Sequence, residues 1–118
     1  MIPQKAEELG RQIGQTEEYK ALKRAQDRLQ GAQELAAQLR RLQELAEALD
    51  RATERGETPT EAERAGYEQV LNQVQADPVY QGMVAAQANF DKLMVRVNEH
   101  ILDGIRKGAA SPIITLGS

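Results

Sequence analysis

The sequence has 118 residues, a formal net charge of -3 and no cysteine, and only 3% of it is aromatic. A chain of this length makes one domain, and the scarcity of aromatic residues favours helix-on-helix packing over a sheet sandwich. The lack of cysteine excludes disulfides, thiolate zinc sites, cysteine nucleophiles and cysteine-held iron–sulfur clusters, and the acidic balance gives no long-range attraction for nucleic acid.

The first predicted helix is short and runs from about Pro3 to Ile13. Its proline suits a first helical turn, and Ala6, Leu9 and Ile13 recur on one face. Gly14 follows, where a left-handed turn would end the helix.

A second helix is predicted to begin after Thr16, whose hydroxyl can cap it, with Glu17 and Glu18 at the positive end of the helix dipole. Gly31 weakens this helix and marks either a kink or a break, and the sequence leaves both open. One side carries Tyr19, Leu22, either Ala25 or Gln26, and Leu29. The other side is basic and carries Lys20, Lys23, Arg24 and Arg28.

A third helix is predicted over about 32–55 by a leucine seam that is typical of a helix packed lengthwise on another helix. We expect Gly56 to end it. Thr58 is expected to cap the fourth helix, with Pro59 in the first turn and Glu61 completing a capping box. The seam consists of Leu35, Leu39, Leu42, Ala46 and Leu49.

The fourth helix has a predicted buried stripe of Tyr67, Val70, Leu71 and Val74. Asp77 as cap and Pro78 as first residue then begin the last helix, which we expect to run to about Arg106 and to close at Gly108. Residues 1–108 are expected to form the single helical domain and residues 109–118 a tail with apolar Ile113, Ile114 and Leu116. The inner face of the last helix carries Val79, Met83, Ala86, Phe90, Leu93, Val97 and Ile101, continued by Leu102 and Ile105.

The predicted lengths of the two longest helices indicate self-association. They measure roughly 40 Å and 35 Å, whereas a compact globule of this chain length is only about 35 Å across. Their ends would overhang the core with apolar residues exposed, so we predict a homodimer or higher oligomer, most simply a two-fold dimer. The alternative is that the short first helix and the tail fold back over this strip. The candidate interface residues are Leu39, Leu42, Leu49, Phe90, Leu93, Val97 and Ile101.

Chemistry typical of an enzyme is missing from the sequence. His100 is the only histidine, near the inner seam of the last helix, and Val97 stands where a Glu-x-x-His metal motif would need its glutamate. We interpret His100 as a hydrogen-bonded helix residue at an interface. Paired carboxylates such as Glu17 and Glu18 fall in first turns, where the helix dipole explains them. We therefore predict no enzymatic activity, no cofactor and no metal site.

The sequence also bears on nucleic acid and membranes as partners. The basic residues Lys20, Lys23, Arg24 and Arg28 could neutralise phosphates, so an RNA-associated factor is the alternative hypothesis, but acidic neighbours and the shortage of stacking aromatics argue against it. No stretch has the length of a signal peptide or a bilayer span, so we expect a cytoplasmic location without membrane contact.

Three stretches of the chain resemble the YlbF/YmcA family of small bacterial helical proteins, which includes the YheA branch. They are "ELGRQIGQTEEYKALKRAQDRL", "ETPTEAE" and "DPVYQGMVAAQANFDKLMVRVNEHI". The resemblance covers roughly residues 5–105, and Tyr19 matches the recurrent Glu-Tyr of the family. It implies an all-helical fold with two long antiparallel helices and a short N-terminal helix, assembled into homodimers or higher oligomers without enzymatic activity.

The resemblance also implies a regulatory role. Family members in spore-forming bacteria join a complex that influences competence, biofilm formation and sporulation and directs ribonuclease Y toward certain transcripts. Such complexes are associated with iron–sulfur clusters held by cysteines, and because this sequence has none, it is more similar to the cysteine-free YheA-like branch. We therefore expect a non-catalytic helical homo-oligomer that acts as a regulatory or protein-interaction adaptor.

Overall fold

A computed structural model describes residues 1–110 and shows an all-α fold, as predicted. Helices account for 90% of these residues, and none of them lies in a strand. The elements in chain order are α1 (Ile2–Gly14), α2 (Glu17–Gly31), α3 (Gln33–Glu54), α4 (Glu61–Ala76) and α5 (Pro78–Ala110).

Thr16 both ends α1 and begins α2. Its hydroxyl donates to the carbonyl of Ile13 at 2.6 Å and accepts from the amide of Tyr19 at 3.2 Å. The expected left-handed turn at Gly14 is wrong, because Gly14 has no positive φ and the following Gln15 is also right-handed, with φ -95°. The short Thr16 contact to the last turn of α1 satisfies a free carbonyl without a left-handed residue.

Gly31 marks a true helix break. α2 ends there, Ala32 leaves helical geometry with φ -94° and ψ 79°, and α3 begins at the next residue. One residue is therefore the whole link between the two helices, which fixes them close together in space.

The corner between α3 and α4 combines two helix-end motifs. Gly56 has φ +76° and, as predicted, closes α3. Its amide donates to the carbonyl of Thr53, and the amide of Glu57 donates to the carbonyl of Ala52. The predicted cap at Thr58 is wrong.

Thr60 caps α4 instead. Its Oγ1 accepts from the amide of Glu63 at 3.1 Å, and the Glu63 carboxylate accepts from the amide of Thr60 at 3.3 Å. Because the closing turn of α3 extends to Glu57, a helix starting at Pro59 would leave one residue for the chain reversal. The later capping box leaves room for it.

α5 begins as predicted, with Asp77 Oδ1 accepting from the amide of Val79 at 2.8 Å and Pro78 in the first turn. It does not close at Gly108, and the described helix runs through that residue to Ala110. The expected tail residues Ile113, Ile114 and Leu116 lie outside the described residues.

Two hydrophobic clusters hold the helices together. In the first, Leu22 and Ala25 of α2 pack on Ala86 of α5. In the second, Leu35 of α3 packs on Val70 and Val74 of α4, with half-buried residues from the end of α2 and the start of α5 around them. The protein therefore consists of an α2–α5 pair and an α3–α4 hairpin joined at an elbow, and the two longest helices belong to different pairs.

The molecule is elongated. Its principal extents are 67, 37 and 19 Å and its radius of gyration is 21.9 Å, whereas a compact domain of about 100 residues has a radius of about 13 Å. α5 alone, with 33 residues, is about 50 Å long. The thin dimension is only about two helix diameters, so few side chains are enclosed on all sides.

Candidate protein-interaction site

The structure divides the seven predicted interface residues into two groups. Leu39 and Leu42 pack on the Leu35–Val74 cluster, and Phe90 packs on the α2–α5 cluster with an edge contact from Tyr19 at 5.8 Å between ring centroids. These three serve packing within the chain. Leu49, Leu93 and Val97 are half-buried, and Ile101 is exposed.

The far end of α5 carries three large apolar side chains that are exposed. Ile101, Leu102 and Ile105 are 46%, 49% and 60% exposed, and no residue of α5 beyond Ala86 is fully buried within the described chain. Their spacing follows one side of the helix. Apolar residues at helical spacing would normally pack against a partner helix, but no helix among residues 1–110 fully covers this side of α5.

The first helix faces the same region. α1 has an apolar face but contributes no fully buried residue. Together with Ile101 it lines an open groove of about 510 Å³ whose walls are almost entirely apolar. We name the groove together with the adjoining Leu102 and Ile105 the α1–α5 surface. The groove is lined by Met1, Ile2, Lys5, Ala6, Leu9 and Ile101.

The side of α2 away from α5 is basic, as the sequence indicated. Lys20, Lys23, Arg24 and Arg28 are all exposed, opposite the buried Leu22. Lys23 lies 3.6 Å from the carboxylate of Asp27 one turn later, which neutralises part of this charge. The arrangement is that of an ordinary solvated helix face.

A shallow charged groove lies between the start of α2 and the middle of α5. Arg96 reaches Glu18 at 3.6 Å between nitrogen and oxygen, and Glu17 and Lys92 line the same depression. The Arg96 side chain is 57% exposed, so the ion pair stabilises the helix contact by about 1 kcal/mol at most. These opposite charges compensate one another and leave no concentrated charge for a ligand.

Other sites considered from the sequence are not assembled by the fold. His100, expected at an interface, is exposed on α5. Among residues 1–110, no three His, Asp or Glu side chains come close enough to hold a metal ion. The sequence also lacks the cysteines that an iron–sulfur cluster of the related complexes would need, so the chain does not fit that group. Within the described part of the chain, no helix is long and apolar enough to cross a membrane.

Sequence reasoning missed the contribution of α1 to this region. The sequence shows the apolar face of α1 in Ala6, Leu9 and Ile13. It does not show which helix this face lies against, because that depends on the angle between α1 and α2 at Thr16. That angle makes Leu9 and Ile101 line one groove.

Comparisons with known proteins identify the family. Residues 2–106 match the family model described as control of competence regulator ComK, YlbF/YmcA. No curated protein and no solved structure matches the chain. The family match covers nearly all of the described helices and agrees with the resemblance found in the sequence. The chain therefore belongs to the YlbF/YmcA family, which is linked to control of the competence regulator ComK.

Proposed function

We propose that this chain is a non-catalytic regulatory adaptor that works as a homo-oligomer and binds protein partners within a YlbF/YmcA-type complex. The observation that carries the proposal is the family match over residues 2–106, since that family is described by its control of a regulator and not by a reaction. Within the family, the lack of cysteine supports the YheA-like branch, and a cytoplasmic location is part of the same proposal.

The shape of the protein supports an adaptor. A chain with a radius of gyration of 21.9 Å offers far more surface for its mass than a compact domain, and its long side is available to partners along 67 Å. Helices that present an apolar strip beside charged flanks recognise other helices in this way. The exposed ends of α1 and α5 are the most apolar part of that surface.

The proposal is tested in the organism that makes the protein. We expect deletion of the coding sequence to change the transcript level of the regulator that its complex controls, and we expect the wild-type chain to restore it. The matched control is His100→Ala, which alters the only histidine and should restore regulation equally well if no proton transfer or metal binding is involved.

Two results would contradict this function. The first is an unchanged transcript profile in the deletion strain. The second is a His100→Ala variant that keeps its helicity and still binds the same protein partners but fails to restore regulation, because an adaptor acts through binding alone.

A further inference from the structure

We propose that the junction between α2 and α3 is a conformational switch, in which the break at Ala32 exchanges with one continuous helix over 17–54. The contacts of the elbow core, the cluster of Leu35, Val70 and Val74, set the balance between the two states. This switch is a property of the chain itself and does not depend on the proposed adaptor function.

The break at Ala32 is not encoded by the residues that form it. Alanine has the highest helix propensity of all residues, and the stretch 31–34 contains no proline or β-branched residue. Ala32 nevertheless leaves helical geometry, with φ -94° and ψ 79°, and no side chain among residues 1–110 caps the start of α3. A local preference that is overruled in this way is typical of positions with a functional or strained role.

The other helices that follow a helix begin differently. Thr16 caps α2, Thr60 caps α4 and Asp77 caps α5. At the start of α5, Pro78 also prevents a helix that runs on from α4, since its ring would clash with the preceding turn. Within the described chain, the α2–α3 junction is therefore the one whose break depends on tertiary contacts instead of a side-chain cap.

Packing in the elbow core explains why the helix is broken. Leu29 of α2 packs against this cluster, in which Leu35 of α3 is 1% exposed. In a continuous helix the two leucines would point about 120° apart, because each residue turns the side-chain direction by about 100°. They could then not both face Val74. Burial of these side chains therefore opposes the local preference for a continuous helix.

The rest of the fold allows the α3–α4 hairpin to move as one body. Its two helices are joined by the elbow core, while Asp77, the other link to the α2–α5 pair, is a single residue in extended conformation. Straightening at Ala32 would turn the hairpin on these two links and separate the core from Val79 and Tyr80, which pack at its edge. The switch would therefore change the angle between the two halves of the molecule.

The first experiment measures the distance between nitroxide labels on Lys20→Cys and Glu47→Cys by pulsed electron paramagnetic resonance. Both positions are exposed, and the chain has no cysteine of its own. In a continuous helix these positions are about 40 Å apart, whereas a break at Ala32 gives a shorter distance. Dilution with unlabelled chain restricts the measurement to pairs within one molecule.

Leu29→Ala weakens the elbow core from the α2 side. We expect it to raise the fraction of molecules at about 40 Å roughly tenfold over the wild type, because the side chain that requires the break is removed. Leu93 is a half-buried leucine on α5 away from the elbow, and Leu93→Ala should change this fraction less than about twofold. Circular dichroism confirms the helicity of each variant.

Gln33→Pro is the complementary change. Gln33 is the first residue of α3, where proline fits, but in a continuous helix the same proline would lie in the interior and remove a hydrogen bond. We expect the double variant Leu29→Ala/Gln33→Pro to lower the long-distance fraction about 100-fold relative to Leu29→Ala alone.

Relaxation dispersion of the wild-type chain provides a test that needs no weakened core. The amide of Glu34 lies in the first turn of α3 without a partner in that helix, but in a continuous helix it would donate to the carbonyl of Gln30. We expect exchange on the microsecond-to-millisecond timescale at this amide and its loss in Gln33→Pro. The amide of Glu18, at the capped start of α2, should show none.

Three results would overturn the switch. The first is a wild-type chain without exchange at Glu34. The second is a long-distance population that survives in the double variant, because the hairpin would then detach without forming a continuous helix. The third is a rise with Leu29→Ala that is no larger than the rise with Leu93→Ala, because the elbow core would then not set the balance. The adaptor function stands or falls separately, through regulation in the organism.

Discussion

The elbow core provides a direct test of which contacts hold the fold together. Val74 is 1% exposed and packs on Leu35, whereas Val84 is 50% exposed on the next helix. Val74→Ala removes two methyl groups, which is about 1.6 kcal/mol of transfer free energy at about 0.8 kcal/mol each. A residual cavity of roughly 50 Å³ adds about 1 kcal/mol. The expected loss in free energy of unfolding is therefore about 2–3 kcal/mol.

Val84→Ala is the matched control, since half of its side chain already contacts water and no cavity remains. We expect a loss below about 1 kcal/mol. Both positions are helical, so the gain in helix propensity from valine to alanine is similar and cancels from the comparison.

The assay is urea unfolding followed by circular dichroism, with all proteins at one concentration because self-association changes apparent stability. The packing argument predicts a difference of about 2 kcal/mol between the two variants. A difference below about 0.5 kcal/mol would refute it, since the elbow would then not be the best-packed part of the chain.

Three further predictions concern the helix ends and the basic face. Gly56→Ala should lower the free energy of unfolding by about 1–2 kcal/mol in the same assay, because alanine is strained at φ +76°. Gly56→Asn should lower it less, since asparagine tolerates this conformation better. Equal losses for the two variants would contradict the backbone explanation. Thr60→Ala should lower the free energy of unfolding by about 1 kcal/mol, because the capping box of α4 is lost. Thr60→Ser should retain most of this stability. No change in stability with Thr60→Ala would show that the cap contributes nothing. The double variant Lys23→Glu/Arg24→Glu should keep the wild-type helicity and oligomer mass by light scattering. If the wild type is retained on RNA at low salt and the double variant is not, the nucleic-acid alternative would be favoured instead.

The sequence predicts the helices well because their ends are encoded locally. Thr16 and Asp77 carry caps whose partners lie within three residues, and Gly56 suits a left-handed turn that requires glycine. The sequence does not locate the cap of α4, because two overlapping Thr-x-x-Glu boxes, at Thr58 and Thr60, are locally equivalent. Only the length needed for the chain reversal decides between them.

The candidate site was less predictable because it depends on contacts between distant segments. Phe90 and Ile101 belong to one apolar stripe in the sequence, yet the first is covered by α2 and the second is exposed. The difference arises because α2, which covers Phe90, begins only after Thr16, and the preceding helix α1 diverges from α5 at that point. Periodicity identifies the apolar face of a helix but not the element that covers each part of it.

The pairing of the helices has a consequence for the order in which the chain acquires its structure during synthesis. The α3–α4 hairpin joins residues that are near in sequence and can close as soon as Val74 has left the ribosome. Leu22 must wait until Ala86 has been synthesised, so the apolar face of α2 is without its native cover for more than sixty residues of translation. The nascent chain is therefore most vulnerable to aggregation in its N-terminal third, and a chaperone that shields α2 would act before α5 emerges.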